Sequence, residues 1–211
     1  NLTGTDRRGN SLGSFSAFGR IIGSQFTLAG AASRIMAAQW DGGMLQATTV
    51  GSIMIRGDYR NDSVNGDFSA DVMLTGQDRG GSLRMFSTSG TVRGATVRTA
   101  GSMGSLRMGA VENSDFLAGI AADAGRHADG QDDFVNDMAS IRSVMISGIR
   151  TAWRAPTPRA VTDSNFSAAS INRVSLKNVK FDNDTEPFGL FALSQGTGRE
   201  IGSVSYYDTV S

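Results

Sequence analysis

The string GSLRM occurs at residues 81–85 and again at residues 104–108, 23 residues later. An internal repeat constrains the fold more strongly than any single segment. Related strings share the pattern apolar-x-Ser-apolar-x-apolar, often with Gly before the Ser. They are VGSIMI (50–55), GGSLRM (80–85), MGSLRM (103–108), IRSVMI (141–146), INRVSL (171–176) and IGSVSY (201–206). If Ile53, Leu83, Leu106, Val144, Val174 and Val204 are equivalent, the steps are 30, 23, 38, 30 and 30 residues.

A second family of strings lies between the members of the first and has the form small/polar-x-Phe/Val-x-Ala. Its members are GSQFTLAG (23–30), NGDFSADV (65–72), GATVRTAG (94–101), NSDFLAGI (113–120) and DSNFSAAS (163–170), with EPFGLFAL (186–193) as a degenerate last copy. Gly, Asn, Asp and Ser separate the two families. Short alternating segments bounded by such turn residues indicate β-strands.

The repeated unit of strand, Gly-Ser corner and strand predicts an all-β protein, specifically a single-stranded parallel β-solenoid. We expect about 6–7 coils of about 23–38 residues, in one domain over residues 1–211 that is part of a longer chain or assembly. Equivalent positions then form inward ladders. The ladders are Ile53, Leu83, Leu106, Val144, Val174, Val204; Ile55, Met85, Met108, Ile146, Leu176, Tyr206; and Phe26, Phe68, Val97, Phe116, Phe166.

The composition narrows the possible functions. The chain has no cysteine, which excludes disulfides, thiolate metal sites and a cysteine nucleophile. Its formal net charge is zero, so nothing predicts general attraction to nucleic acid or to an anionic membrane. No apolar run approaches the roughly 20 residues of a membrane span. We therefore expect neither a nucleic-acid partner nor a transmembrane segment.

These motifs resemble the right-handed parallel β-helix repeat regions of large secreted bacterial surface and adhesin-like proteins. The resemblance covers about residues 20–206. It implies right-handed winding and a noncatalytic structural or adhesive module that is extracellular or on the cell surface. It also implies neighbouring domains or subunits at the ends, and cell-surface glycans, as partners. The chain is more distantly similar to β-helix polysaccharide lyases and hydrolases, so such an enzyme, or a carbohydrate-binding module, is the alternative.

Two segments break the period, near residues 121–139 and 150–162. We expect both to project from the stack as loops, where function usually resides. The first carries Asp123 and the calcium candidates Asp129, Asp132, Asp133 and Asp137, beside the single histidine, His127. Carboxylates are ligands that calcium prefers, yet the spacing fits neither an EF-hand nor a calcium-binding nonapeptide repeat. A solvated acidic loop without any cofactor is the alternative. The His–Asp pair suggests acid–base chemistry but lacks a partner nucleophile.

Asp67 and Asp115 are the candidates for catalysis. Each precedes a Phe of the third ladder, and two coils separate them by about 10 Å, close to the spacing of the carboxylates of an inverting glycosidase. Short polar residues beside a corner more often bind turn amides.

Four residues are candidates for contacts with a ligand or a partner. Arg84 and Arg107 align in adjacent coils and could bind an acidic ligand, or they could be two solvated side chains. Trp153 and Arg154, in the second loop, could stack on a sugar or contact a neighbouring protein. Alternatively, Trp153 covers the edge of a coil.

Overall fold

The computed structural model describes residues 1–58, 60, 64–77, 81–149, 159–180, 189–193 and 200–208. Its strands are, in chain order, β1 (Asn10–Thr27), β2 (Ala31–Ala47), β3 (Val50–Ile55), β4 (Asp71–Leu74), β5 (Leu83–Thr88), β6 (Thr91–Arg93), β7 (Thr96–Thr99), β8 (Met103–Met108), β9 (Ala110–Glu112), β10 (Asp115–Ala118), β11 (Ser140–Ile146), β12 (Val161–Thr162), β13 (Asn165–Ala168), β14 (Ser170–Lys177), β15 (Gly189–Ala192) and β16 (Ile201–Tyr207). The described helical structure is one 3-10 turn, Gln131–Asp133. The predicted all-β class is confirmed.

The strands pair in parallel and form three columns. The first column runs β1–β2–β3–β5–β8–β11–β14–β16. The second runs through the far ends of β1 and β2 into β4–β7–β10–β13–β15. The third contains the middle of β1 and β2, a bridge at Phe68, and β6–β9–β12. The chain passes from the first column to the third, then to the second, and returns to the first.

Apolar side chains of the three columns face a common interior and form one buried cluster. Aromatic rings from different columns meet there edge to face: Trp40 of the third column lies 5.4 Å from Phe26 of the second. Phe86 of the first column lies 5.0 Å from Phe68 of the third and 5.6 Å from Phe116 of the second. Such ring pairs stabilise beyond the area they bury. The rings therefore tie the columns together.

One copy of the GSLRM repeat is out of register with the structure. Leu83 lies opposite Val50 and Met103, whereas Phe86 takes the place predicted for Leu83. The steps around it are thus 33 and 20 residues, since Phe86 pairs with Ile53 and with Leu106. Met85 pairs with the outward-facing Ser52 and Ser105, so its assignment to an inward ladder is wrong. The four strings from MGSLRM to IGSVSY pair with one another as predicted, through Leu106, Val144, Val174 and Val204.

The difference between the predicted and the observed register of β5 has a physical cause. Inward positions on these strands are spaced three and then two residues apart, and in β5 they are Leu83, Phe86 and Thr88. Thr88 is polar, which hides the pattern in the sequence. Its hydroxyl donates a 2.5 Å hydrogen bond to the carbonyl of Gly66, so the buried hydroxyl is satisfied.

Phe68 also lies elsewhere than predicted. It bridges Trp40 and Val92 in the third column, and Val72 occupies the expected place, opposite Leu45 and Val97. Alternating apolar residues fit any column equally well, so the sequence pattern does not distinguish the two positions.

Gly51 and Gly104, predicted to form corners with the following Ser, lie within β3 and β8, so that prediction is wrong. They are needed there for space. A Cβ at Gly104 would collide with the carbonyl oxygen of Arg84, and one at Gly51 would collide with that of Ser33. Neither glycine has a positive φ. Gly51 and Gly104 therefore permit close approach of neighbouring strands, whereas Gly81 of the other GSLRM copy has a φ of 87°.

Candidate functional site

The insert between β10 and β11 covers the outer face of the second column at β10 and β13, whereas the outward Met73 of β4 is 38% exposed. The two ends of the insert lie close together, since a Cβ built on Gly119 would lie 2.5 Å from the Cβ of Ala139. The expectation that this segment projects from the stack is wrong. It folds back because the outward side chains of the second column bind it, and all four residues of β10, as well as all four of β13, are buried.

Arg98, an outward residue of β7, holds the first turn of the insert. Its guanidinium donates hydrogen bonds to the carbonyls of Ile120, Ala121 and Ala124. Partial burial lowers the pKa of Arg98, and the charges of Asp115 and Asp123 oppose this shift. Arg98 therefore anchors a loop and is not a free cation.

Arg126 holds the middle of the insert against two carboxylates. Its Nε lies 3.2 Å from Asp115 Oδ2, and its Nη1 donates a 2.8 Å hydrogen bond to Asp163 Oδ1. Asn165 Nδ2 donates a 2.8 Å hydrogen bond to Asp115 Oδ1. Burial works against the charged Arg126, but the hydrogen bonds and charges of the two aspartates outweigh it and raise its pKa. The catalytic candidate Asp115 is thus bound within a structural network.

Asp67 lies on a different column from Asp115. It precedes Phe68 in the third column, and its Oδ1 accepts a 2.8 Å hydrogen bond from the Thr91 amide. Asp115 belongs to the second column, opposite Thr96 and Asn165. The two carboxylates are therefore not equivalent positions of one ladder, and the predicted glycosidase-like spacing has no basis in the register.

The histidine of the insert packs against the second column. The His127 ring stacks on Phe191 with centroids 4.1 Å apart, and its Nε2 lies 3.0 Å from Asp129 Oδ1. The next backbone amide, that of Ala128, donates to Ser167 Oγ at 3.3 Å. These contacts hold the far edge of the insert on β13 and β15.

The calcium candidates are spread along the insert. Asp133 accepts hydrogen bonds from the amides of Asp129 and Gly130 and lies in the 3-10 turn with Asp132. Asp137 lies beyond that turn. Within the described residues, no three His, Cys, Asp or Glu side chains are placed to hold a metal ion.

The outer face of the first column is open to solvent and carries the other pair of candidates. Arg84 and Arg107 are both exposed on it but are not equivalent. Arg107 lies opposite Ser87 and Met145, whereas the backbone of Arg84 lies next to Gly104. The predicted stacking of the two like charges is therefore wrong.

Two shallow depressions lie on this open face, and each contains one of the two arginines. The first, of about 410 Å³, has Arg34 and Arg84 over a floor of small residues that includes Gly51 and Ser52. The second, of about 300 Å³, contains Arg107 with Ser87 and Met145. A cleft of about 720 Å³ separates the insert from β15 and β16, with Phe134, Phe191 and Glu200 among its lining residues.

The second predicted insert, at 150–162, is shorter than expected at its C-terminal end. Val161 and Thr162 form β12, and the amide of Ala160 binds the Asn178 carbonyl. Trp153 and Arg154 lie outside the described residues.

Sequence reasoning missed Arg98 and Arg126, which hold the insert. One signal was available: Leu117 is apolar at an outward position of β10, between Arg98 and Ser167. An outward leucine indicates that something covers that face.

Fold and surfaces together define an all-β protein of parallel strand columns with one covered and one open outer face. Comparison with protein-family models, curated proteins and solved structures found no match for the chain. No helix in the described part of the chain has the length and apolar character needed to cross a membrane.

Proposed function

We propose that the chain is a noncatalytic structural and adhesive module of an extracellular or cell-surface protein. In this proposal the three columns are the faces of one right-handed β-solenoid, with seven complete coils and β16 as the start of an eighth. The single observation that carries it is the unbroken apolar interior, which links every column from Ile21 to Val179. Such an interior gives a stiff scaffold whose outer faces are available for contact.

The two ends support the proposed partners, which are neighbouring domains or subunits. All seven residues of β16 are exposed, including the inward-facing Val204 at 53% and Tyr206 at 42%. At the opposite end, β1 pairs only with β2 among the named strands. Open strand edges with exposed apolar residues are templates for further pairing.

Incubation with a panel of neutral, carboxylated and sulfated polysaccharides tests this function. We expect retention of polymer on the immobilised chain without new reducing ends or unsaturated products. Asp67 and Asp115 already bind the Thr91 amide and Arg126, which supports structural roles for both. Product formation that is lost in Asp67→Asn or Asp115→Asn would overturn the proposal in favour of the lyase or hydrolase alternative.

A further inference from the structure

We infer that the outer face of the first column binds a linear acidic polysaccharide. This surface, called the basic face below, consists of the outward residues of the first-column parts of β2, β3, β5, β8, β11 and β14. The inference rests on the proposed adhesive function and specifies the chemistry to which the module adheres.

The charge of the basic face has one sign. Its cations are Arg34, Arg84, Arg107, Arg142, Arg173 and Lys177, and its described outward positions include no Asp or Glu. No described carboxylate forms an ion pair with any of the five arginines. Since the chain as a whole has zero net charge, positive charge is concentrated on this face.

Acidic residues collect on another face of the molecule. The insert over the second column carries five aspartates against one arginine, Arg126. A polyanion that approaches the protein is therefore attracted to one face and repelled from the other.

The arginines are staggered: Arg34, Arg107 and Arg173 each lie opposite uncharged residues on both neighbouring strands. Arg34 lies opposite Ser14 and Ser52, and Arg173 opposite Ser143 and Ser203. Each guanidinium keeps a fork of donors that can bind a carboxylate or sulfate with two hydrogen bonds. Five strand spacings separate β2 from β14, so the charges extend over about 24 Å. This distribution suits a polymer that repeats its charges.

The residues between the arginines favour a sugar polymer over nucleic acid. One row across the strands reads Ser52, Met85, Ser105 and Ser143. The next row reads Met54, Ser87, Arg107 and Met145. Hydroxyls can exchange hydrogen bonds with sugar hydroxyls, and thioethers can pack against apolar ring faces. Single-stranded nucleic acid is held by aromatic side chains. The described outward positions of these six strands carry no Phe, Tyr or Trp, and the exposed Tyr207 lies beyond them on β16, beside Lys177.

Binding of fluorescent dextran sulfate tests the inference, with neutral dextran of the same length and a short DNA duplex as comparison probes. The test variant is the triple substitution Arg84→Gln, Arg107→Gln and Arg142→Gln. The matched control is Arg7→Gln, Arg8→Gln and Arg93→Gln, which removes the same charge away from the basic face. Because each arginine can supply charge-assisted hydrogen bonds, we expect the test variant to weaken binding of dextran sulfate at least about tenfold. The control should change it less than about threefold, and binding should weaken as salt screens the charges.

Equal loss in the two triple variants would overturn the inference, because net charge alone would then explain binding. Equal binding of neutral dextran, or tighter binding of the DNA duplex, would also overturn it. Self-association that is lost in the test variant would instead assign the basic face to the acidic insert of a second copy. Turnover of a polysaccharide overturns the proposed function but leaves the location of the binding surface intact, so the two failures are distinguishable.

Discussion

The outer faces of the first and second columns are built from similar alternating strands, yet the first is open and the second is covered at β10 and β13. In β8 the outward Arg107 is exposed, whereas in β10 the outward Asp115 and Leu117 are buried. The difference comes from one insert, which Arg98 and Arg126 hold on the second column. A strand in this protein thus has an outer face that is either open to solvent or part of a second packing layer, according to where the following loop packs.

The largest effect is expected when the same charge is placed on the outer faces of both columns. Leu117→Lys puts an ammonium group at a position with 0% exposure, whereas Met145→Lys puts one at a position with 47% exposure. Because burial of an unpaired charge is costly, we expect Leu117→Lys to lower the free energy of unfolding by at least about 3 kcal/mol. Met145→Lys should change it by less than about 0.5 kcal/mol. Urea unfolding of both variants measures the difference.

A similar loss in the two lysine variants would contradict the assignment of a covered and an open face. A folded Leu117→Lys protein in which the insert alone becomes sensitive to protease would sharpen the comparison. It would locate the damage in the insert, residues 121–139, which is called the cover below.

A smaller effect is expected when the cover loses its central ion pair. Arg126→Met leaves the Asp115 carboxylate, whose side chain is 11% exposed, with Asn165 but without its cation. We expect a loss of about 2 kcal/mol, less than for a fully buried pair because Arg126 itself is 39% exposed. The control is Arg93→Met, which breaks the exposed pair with Glu112 and should cost less than about 0.5 kcal/mol. Thermal unfolding monitored by circular dichroism compares the two, and equal losses would show that Arg126 does not stabilise the cover.

Residue spacing was sufficient to predict strands, parallel pairing and most of the first-column register. It failed at GSLRM 81–85, because Thr88 brings a polar group inward and the identical letters aligned Leu83 with Leu106. Identity of letters is a weaker guide than the three-then-two spacing of inward positions. The cover was beyond prediction for another reason. Its contacts join residues far apart in sequence, such as Arg126 and Asp163, and no periodicity encodes them.

The net charge of the chain likewise did not indicate the basic face. A total of zero predicts no attraction to polyanions, yet the arginines of the basic face and the aspartates of the insert lie on different columns. Only the register places Arg34, Arg84 and Arg173 on one face.

The smallest expected effect concerns an exposed carboxylate, that of Asp6. Asp6 is exposed beside the start of β1 and accepts hydrogen bonds from the amides of Asn10 and Arg8. The hydrogen bond from the Asn10 amide is the main cause of its pKa falling below the ordinary value of 3.8. Since the folded-state pKa is the lower one, the stability that Asp6 contributes is complete above the unfolded-state pKa and disappears as the pH falls through the folded-state pKa. Urea midpoints of the unmodified chain and Asp6→Asn, followed as pH is lowered through this window, should converge at the acid end. A gap that persists there would show that the Asp6 charge is not what stabilises this turn.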